Sequence, residues 1–326
     1  MDGSPCQPGK VTSIFQEMNA TPFTMLLGYL LFGFAPLLAK LAMARGWDGP
    51  HSVVLRFAVA GVLTVACAAL ALRWGSRSLR AELKLESRNQ RALFLRGLYG
   101  GVAVLCYFSS MALTGAGMGT LLNYTYAIFA NLFGVLFFKQ RPSPRFWFLL
   151  AIAAVGLVLV VGPSLNTAAG ASYQWGLAIG LCSGIFAGFA VLTVKELRQT
   201  DNALSINAAY SLGSFLLALP VALYTGVHGS PAPVNDFFAL ACLLASAVIS
   251  FAAHLLFSHG FKHTPVSLAS LLSLLTPVVA TASGYFFLNE ALSPHFVAGA
   301  VMILIAVGLA GKGGELKKKL RENPAV

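Results

Sequence analysis

Two apolar stretches of this sequence contain polar side chains that are suited to binding a small molecule. One stretch contains Asn123 and Tyr126, and the other contains Ser273 and Thr276, each 150 positions after its counterpart. Amide, phenol and hydroxyl groups are costly inside a bilayer unless they are hydrogen-bonded, so they either contact a ligand or bond neighbouring helices. Pro277 removes a backbone donor in the second stretch, and we expect it to kink that helix beside a cavity.

Other chemically active residues lie in two further apolar stretches. Tyr107 and Ser110 would offer an amphipathic organic molecule an aromatic wall and a small polar group, although Tyr107 could equally fill the interior with its hydroxyl bonded. His254 is the most deeply placed titratable residue in the predicted helices, where no Asp or Glu lies deep. Because histidine exchanges a proton near neutral pH, His254 is a candidate for proton coupling; a neutral, hydrogen-bonded histidine is the alternative.

Three cationic residues lie about one to two turns inside predicted helices: Lys40, Arg56 and Arg96. Long basic side chains commonly extend from such positions to the lipid headgroups. The alternative is that these three residues form a positive vestibule that recognises a carboxylate or a phosphate.

The composition indicates an all-α polytopic membrane protein. Of the 326 residues, 57% are hydrophobic and only 10% are charged, and the mean hydropathy is +0.76. Apolar runs of roughly 20 residues, which is enough to cross a bilayer as a helix, recur along the chain. The predicted membrane helices are residues 22–44, 52–72, 93–113, 117–138, 146–163, 175–194, 204–224, 237–258, 265–288 and 294–311.

The net charge of +11 reflects membrane topology rather than nucleic-acid binding. Lys and Arg concentrate in alternate loops and in the tail, whereas loops 164–174 and 225–236 contain neither. By the positive-inside rule, both termini face the cytoplasm of a cell whose inner membrane the chain crosses. We also expect the basic residues to contact anionic lipid headgroups.

Several classes of chemistry lack their sequence motifs. The five cysteines lie mostly in apolar runs without metal-ligand spacing, so we predict no metal site and no cofactor. The phosphate-binding Gly-x-x-x-x-Gly-Lys-Ser/Thr motif is absent, which argues against direct use of ATP. His-Glu-x-x-His and Gly-x-Ser-x-Gly are also absent, which argues against an enzyme that acts on lipid.

The second half of the chain repeats the first with its loop charges removed. The segment 33–40 returns as 188–195, and Ser143-Pro144 returns as Ser293-Pro294. Five predicted helices per half place the second copy upside down in the membrane, as in many carriers. The predicted organisation is a cytoplasmic N-terminal tail (1–21), a first repeat (22–163), an outside linker (164–174), a second repeat (175–311) and a basic cytoplasmic tail (312–326).

A glycine stripe marks the first helix of the second repeat, with Gly176, Gly180, Gly184 and Gly188 at four-residue spacing. Such a stripe allows a neighbouring backbone to approach closely. It serves either static packing or a surface on which one bundle slides against another.

The chain resembles the EamA type of the drug/metabolite transporter superfamily over about residues 22–311. The resemblance rests on the ten helices in two inverted repeats, on the segment Phe287–Ser293 with its Glu-x-Leu-Ser pattern, and on the Arg56-Phe57 pair. The sequence departs from the family pattern at Lys139-Gln140-Arg141, where a glutamate is frequent. The resemblance implies secondary transport of small metabolites, often the export of amino acids or related compounds.

The leading hypothesis is a secondary transporter that works by alternating access around a site between the repeats. A flippase for lipid headgroups, or a channel on the same fold, is the alternative, and a membrane-embedded lipid enzyme is a weaker one. The expected partners are a small-molecule substrate and membrane lipids, without nucleic acid, and the chain is expected to be a monomer or a homodimer.

Overall fold

A computed structural model describes residues 8–75, 80, 83–85, 87–139, 141–161, 170–228, 234–262, 264–288 and 293–322, and these residues form twelve α-helices. The helices are α1 (Pro8–Met43), α2 (Gly49–Trp74), α3 (Gln90–Thr114), α4 (Ala116–Tyr124), α5 (Tyr126–Phe138), α6 (Pro144–Val161), α7 (Ala171–Leu197), α8 (Ala203–His228), α9 (Phe237–Gly260), α10 (Val266–Ser273), α11 (Leu275–Leu288) and α12 (Pro294–Glu322).

The twelve helices make ten membrane crossings, because α4 continues into α5 and α10 into α11. In the described part of the chain, eight crossings are 20 to 27 residues long and apolar, and shorter apolar helices in α6 and α12 supply the other two. The predicted all-α polytopic class is therefore confirmed. The helix ends differ most at the termini, since α1 begins at Pro8 rather than 22 and α12 reaches Glu322 rather than 311. Hydropathy detects the apolar part of a helix and not its polar extension.

The fourth crossing was predicted as one continuous helix and the ninth as one helix kinked at Pro277, whereas the structure interrupts both. The ninth is interrupted at Leu274, three residues before Pro277, whose ring cannot pack against the carbonyl of Ser273 in a regular helix. The break therefore precedes the proline instead of kinking the helix at it. The fourth crossing is interrupted at Thr125 without any proline, and the Thr125 hydroxyl donates to the Leu122 carbonyl at 2.5 Å.

The two halves pack against each other in symmetric pairs. Helix α1 lies against α9 and α11, and its repeat counterpart α7 lies against α3 and the α4–α5 pair. Helix α2 packs on α8, and α6 packs on α12. Each half thus buries its first helix against the third and fourth crossings of the other half, and the central space is walled by both.

The glycine stripe of α7 lies in the contact with α3, α4 and α5. A methyl group added at Gly176, Gly180, Gly184 or Gly188 would come within 3.0 Å of atoms on these three helices or on the break between α4 and α5. The Ser110 hydroxyl of α3 donates to the Gly176 carbonyl at 2.8 Å, which fixes the depth at which the helices meet.

On the side of the bundle where the chain begins, the α2–α3 connection is hydrogen-bonded to the α7–α8 turn. The Asp201 carboxylate accepts from the backbone N–H groups of Arg88 at 2.9 Å and Asn89 at 3.3 Å. The Asn202 side-chain amide donates to the Lys84 carbonyl. We refer to this set of contacts as the N-side latch.

The opposite side carries a single described ion pair between the two halves. Arg45, which follows α1, lies 3.1 Å from the Asp236 carboxylate at the start of α9. The backbone N–H of Ala239 and the Arg45 guanidinium hold the pKa of the Asp236 carboxyl below its usual range. Asp236 is therefore ionised at neutral pH, but its exposure keeps the contribution of this pair small.

Candidate functional site between the two halves

A cavity of about 190 Å³ lies between the two halves of the bundle. Helices α1, α2, α3, α7, α8 and α9 and the junction of α4 with α5 supply its walls. Aromatic rings form much of the surface, among them Tyr29, Phe32, Phe57, Tyr107, Tyr126 and Phe257. The cavity is thus suited to an organic molecule with both apolar and polar parts.

Arg56 and Arg96 carry positive charge into this cavity. Arg56 donates to the Ser250 hydroxyl at 2.5 Å, and its guanidinium carbon lies 5.0 Å from the centre of the Phe108 ring. Arg96 is only 4% exposed, and its guanidinium carbon lies 4.2 Å from the centre of the Tyr210 ring. No Asp or Glu is found among the described residues that line the cavity.

Sequence analysis placed these arginines near helix ends, with the headgroups or a vestibule as their surroundings. The structure places both in the cavity wall, because each is on the face of its helix that turns toward the other half. Lys40 is exposed and does not line the cavity. The three predicted vestibule cations are therefore not brought together.

His254 lies in an aromatic enclosure within the same cavity. Its ring centre is 4.6 Å from that of Phe32 and 4.5 Å from that of Tyr210. The Nδ1 atom has no hydrogen-bond partner among the described atoms. A proton on His254 would add a third positive charge to a cavity that already holds two arginines.

Three of the predicted ligand-binding residues line the cavity beside the arginines and His254. The Asn123 amide donates to the Ser183 hydroxyl at 2.6 Å, so it is held in place by α7. Tyr126 lies at the start of α5, directly after the break, and faces the cavity. The Tyr107 hydroxyl is 3.2 Å from that of Thr120.

Four predicted binding residues lie outside the cavity lining, namely Ser110, Ser273, Thr276 and Pro277. Ser110 and Ser273 are buried and donate to backbone carbonyls of Gly176 and Ser270, and Thr276 donates to the Tyr29 carbonyl at 3.1 Å. The Ser110 and Thr276 hydroxyls thus bond neighbouring helices, and the Ser273 hydroxyl bonds a carbonyl beside the break at Leu274. Equivalence between the repeats suggested a symmetric site, but of the fourth and ninth crossings only the fourth contributes to the cavity lining.

The ninth crossing instead supports the cavity from behind. Ser273 lies within hydrogen-bonding reach of the Tyr126 hydroxyl, and Thr276 lies within reach of the Tyr124 hydroxyl. Residues on α10 and α11 therefore orient the tyrosines of the fourth crossing.

A polar face of α8 also lines the cavity, and it was not predicted from the sequence. Asn207, Tyr210 and Ser211 share this face at helical spacing, and Ser250 of α9 lies one turn before His254. The Asn207 amide nitrogen and the Ser211 hydroxyl have no partner among the described atoms. The spacing of three and four residues within an otherwise apolar helix is the signal that could have found them.

The described residues provide for binding rather than for metal chemistry. Among them, no three His, Cys, Asp or Glu side chains are grouped closely enough to hold a metal ion. Cations, rings and neutral hydrogen-bonding groups instead converge on one cavity.

The architecture is shared with a known fold. A solved crystal structure superimposes with a TM-score of 0.71 at 17% sequence identity, and the match covers 90% of this chain and 97% of that one. At this identity the match shows the fold alone.

Sequence comparison identifies relatives among transporters. The pseudopaline exporter CntI of Pseudomonas aeruginosa is 24% identical over 227 residues, which cover 70% of this chain and 77% of the exporter. An uncharacterised transporter of Archaeoglobus fulgidus is 27% identical over 229 residues, covering 70% of this chain and 79% of that protein. The uncharacterised transporter YwfM of Bacillus subtilis is 26% identical over 212 residues, covering 63% and 69% of the two chains.

The family description of EamA-like transporters matches both halves of the chain, at residues 20–162 and 174–311. The two matched ranges reach into all ten crossings, including those that wall the cavity. The protein accordingly belongs to the EamA-like transporter family and is a multi-pass membrane transporter, not an enzyme.

Proposed function

We propose that this protein is a secondary transporter that exports a small organic metabolite, an amino acid or a related compound, across the cell's inner membrane. The observation that carries the proposal is the cavity between the two halves, in which cationic, aromatic and neutral polar side chains converge. The resemblance to an exporter supports the outward direction.

Alternating access is the proposed mechanism, and the symmetric contacts support it. The α1–α9 and α7–α3 pairs are equivalent under the exchange of the two halves. If each half adopted the packing of the other, the cavity would open toward the opposite side at a similar packing energy. The N-side latch and the Arg45–Asp236 pair lie at opposite ends of the bundle. We expect each set of contacts to break when the cavity opens toward its own side.

We further propose that the side on which the chain begins is the cytoplasm. The basic residues Lys84, Arg88 and Arg91 lie on this side, as the positive-inside rule requires. The α2–α3 connection that carries them also forms the N-side latch. On this basis the latch closes the cytoplasmic end of the cavity.

The test is solute counterflow in liposomes that contain the purified protein, without ATP. Labelled amino acids and related metabolites should accumulate against an internal load of the same unlabelled compound. The changes Asn123→Ala and Tyr126→Phe should lower the rate at least about 10-fold, because each removes a polar contact of the cavity. The matched control Tyr285→Phe removes a phenolic hydroxyl from an exposed site and should leave transport unchanged.

Two outcomes separate the alternatives. Fluorescent-lipid scrambling without solute counterflow would favour a lipid flippase. Solute flux that shows no counterflow would favour a channel. Full transport by folded protein that carries both cavity substitutions would contradict the assignment of the site.

A further inference from the structure

Arg96 is buried and Arg56 is half-buried in the cavity wall, and neither has an acidic partner in the described lining. A cation at this depth is expensive unless an anion or a set of hydrogen bonds compensates it. The aromatic ring faces and the Ser250 hydroxyl compensate only part of the cost of desolvating these cations, since each guanidinium has five N–H donors. The Nε atoms of Arg56 and Arg96 have no hydrogen-bond partner among the described atoms.

The two guanidinium groups are held at different levels of the cavity. Nη1 of Arg96 lies 2.7 Å from the point that a Cβ at Gly100 would occupy. The Arg56 guanidinium instead lies over the Phe108 ring. Gly100 and Phe108 are eight residues apart on α3, about 12 Å by the rise of an α-helix. The two guanidinium groups therefore lie against parts of α3 that are about two turns apart.

The surface between the two levels is neutral. Tyr210 lies under Arg96 and contacts Phe57 at a ring distance of 4.9 Å. Asn207, Ser211 and His254 add polar atoms that have no partner among the described atoms. This surface suits an uncharged stem with a hydrogen-bonding group, and each end of the cavity offers one positive charge.

We propose that the transported substrate is an organic dianion with one acid group bound at Arg56 and the other at Arg96. This inference rests on the proposed transport function and specifies its substrate class. The planar guanidinium fork matches a carboxylate in bidentate geometry, and a dicarboxylate with a neutral stem offers one such group to each arginine. A phosphate ester and an anionic lipid headgroup share the anionic chemistry but present one compact group, which cannot occupy both levels.

The first arm of the test measures ligand binding to the full-length protein in detergent. The ligands are α,ω-dicarboxylates of four to eight carbons, each compared with its monoamide and its diamide, which keep the shape and remove one or two charges. At the best chain length the dicarboxylate should bind about 10- to 100-fold more tightly than its monoamide, because a second charged hydrogen-bonded contact is lost. Glycerol phosphate and dioctanoylphosphatidylglycerol test the other anion sources and should bind more weakly than the dicarboxylate.

The second arm measures, in variants of each arginine, the ratio of the affinity for the dicarboxylate to the affinity for its monoamide. In Arg56→Gln and in Arg96→Gln, the preference for the dicarboxylate over its monoamide should fall to less than about threefold. Arg56→Lys and Arg96→Lys retain the charge and should keep part of the preference for the dicarboxylate. If a glutamine variant does not fold, the corresponding lysine variant is measured in its place. The control Arg73→Gln alters an exposed arginine at the end of α2 and should keep the full preference.

Several results would overturn the inference: equal binding of diacid and diamide, tighter binding of glycerol phosphate or the lipid, or an unchanged preference in the glutamine variants. If another solute shows counterflow while dicarboxylates do not, the dianion inference fails and the transport function stands. If no solute shows counterflow in the wild-type protein, the proposed function fails with it.

Discussion

Substitution of Gly184 by alanine offers a quantitative test of how the two halves meet. The new Cβ would lie 2.2 Å from the Thr125 hydroxyl oxygen and 2.7 Å from the Leu122 carbonyl oxygen. Ordinary contacts begin at 3.4 Å, so the overlaps are 1.2 Å (3.4 − 2.2) and 0.7 Å (3.4 − 2.7). Neither atom can move freely, because the hydroxyl donates to that same carbonyl across the break between α4 and α5.

The expected cost follows from these overlaps. Forcing a methyl group into a well-packed contact costs about 2 to 3 kcal/mol, and the better helix propensity of alanine offsets about 0.5 to 1 kcal/mol of it. A net loss of about 2 kcal/mol lowers the melting temperature of a 326-residue chain by about 3 °C, because the unfolding entropy is about 2.1 cal/mol/K per residue. Because the overlap involves the break beside the cavity, transport should also fall in Gly184→Ala.

Thermal unfolding can be followed with a thiol-reactive dye, since Cys242 is free and buried and becomes accessible to the dye when the chain unfolds. The matched control is Gly61→Ala in α2, whose added methyl meets no atom within 4 Å and should leave the melting temperature unchanged or slightly raised. Adding Thr125→Ala to Gly184→Ala removes the larger overlap and should restore part of the loss. A Gly184→Ala melting temperature equal to that of Gly61→Ala would refute the close contact.

Three further predictions concern the latch, the proline and the topology. Asp201→Asn removes the negative charge of a carboxylate that accepts hydrogen bonds from two backbone N–H groups, so trypsin should cleave after Arg88 about 10-fold faster. Mass spectrometry measures the cleavage rate, and an unchanged rate would argue against the N-side latch. Pro277→Ala should retain transport and keep the melting temperature within about 3 °C of the wild-type value, because the break at Thr125 forms without a proline. Loss of transport would show that the break at Leu274 depends on the proline ring. Single cysteines can be introduced by Ser78→Cys and Ser230→Cys, two positions outside the described residues, in a cysteine-free background. An impermeant thiol reagent on intact cells should label the cysteine at 230 and not the one at 78, and the reverse pattern would invert the proposed orientation.

The sequence predicted the ten crossings because the length of an apolar run is a local property. It did not predict the break at Thr125, which has neither proline nor glycine and lies against Gly184 of a distant helix. Hydropathy alone cannot report such a tertiary contact.

The site was predicted in part, for a related reason. Asn123, Tyr126 and His254 stand out because they interrupt apolar runs, and all three line the cavity. Arg56 and Arg96 were predicted near helix ends, at the headgroups or in a vestibule, and not in the cavity wall. The direction of their side chains, toward the cavity instead of the headgroups, depends on which helix face the other half covers.

The N-side latch has a consequence for how this chain can vary during evolution. The α7–α8 turn contributes side chains, Asp201 and Asn202, whereas the α2–α3 connection contributes main-chain atoms of Lys84, Arg88 and Asn89. A main-chain N–H or carbonyl is the same in every residue except proline, which lacks the N–H. The connection can therefore change its residues with little effect on these bonds, but a deletion or insertion of one residue would shift the bonding groups out of register. Among related chains, we expect constant length between α2 and Asn89 wherever the Asp-Asn pair is present.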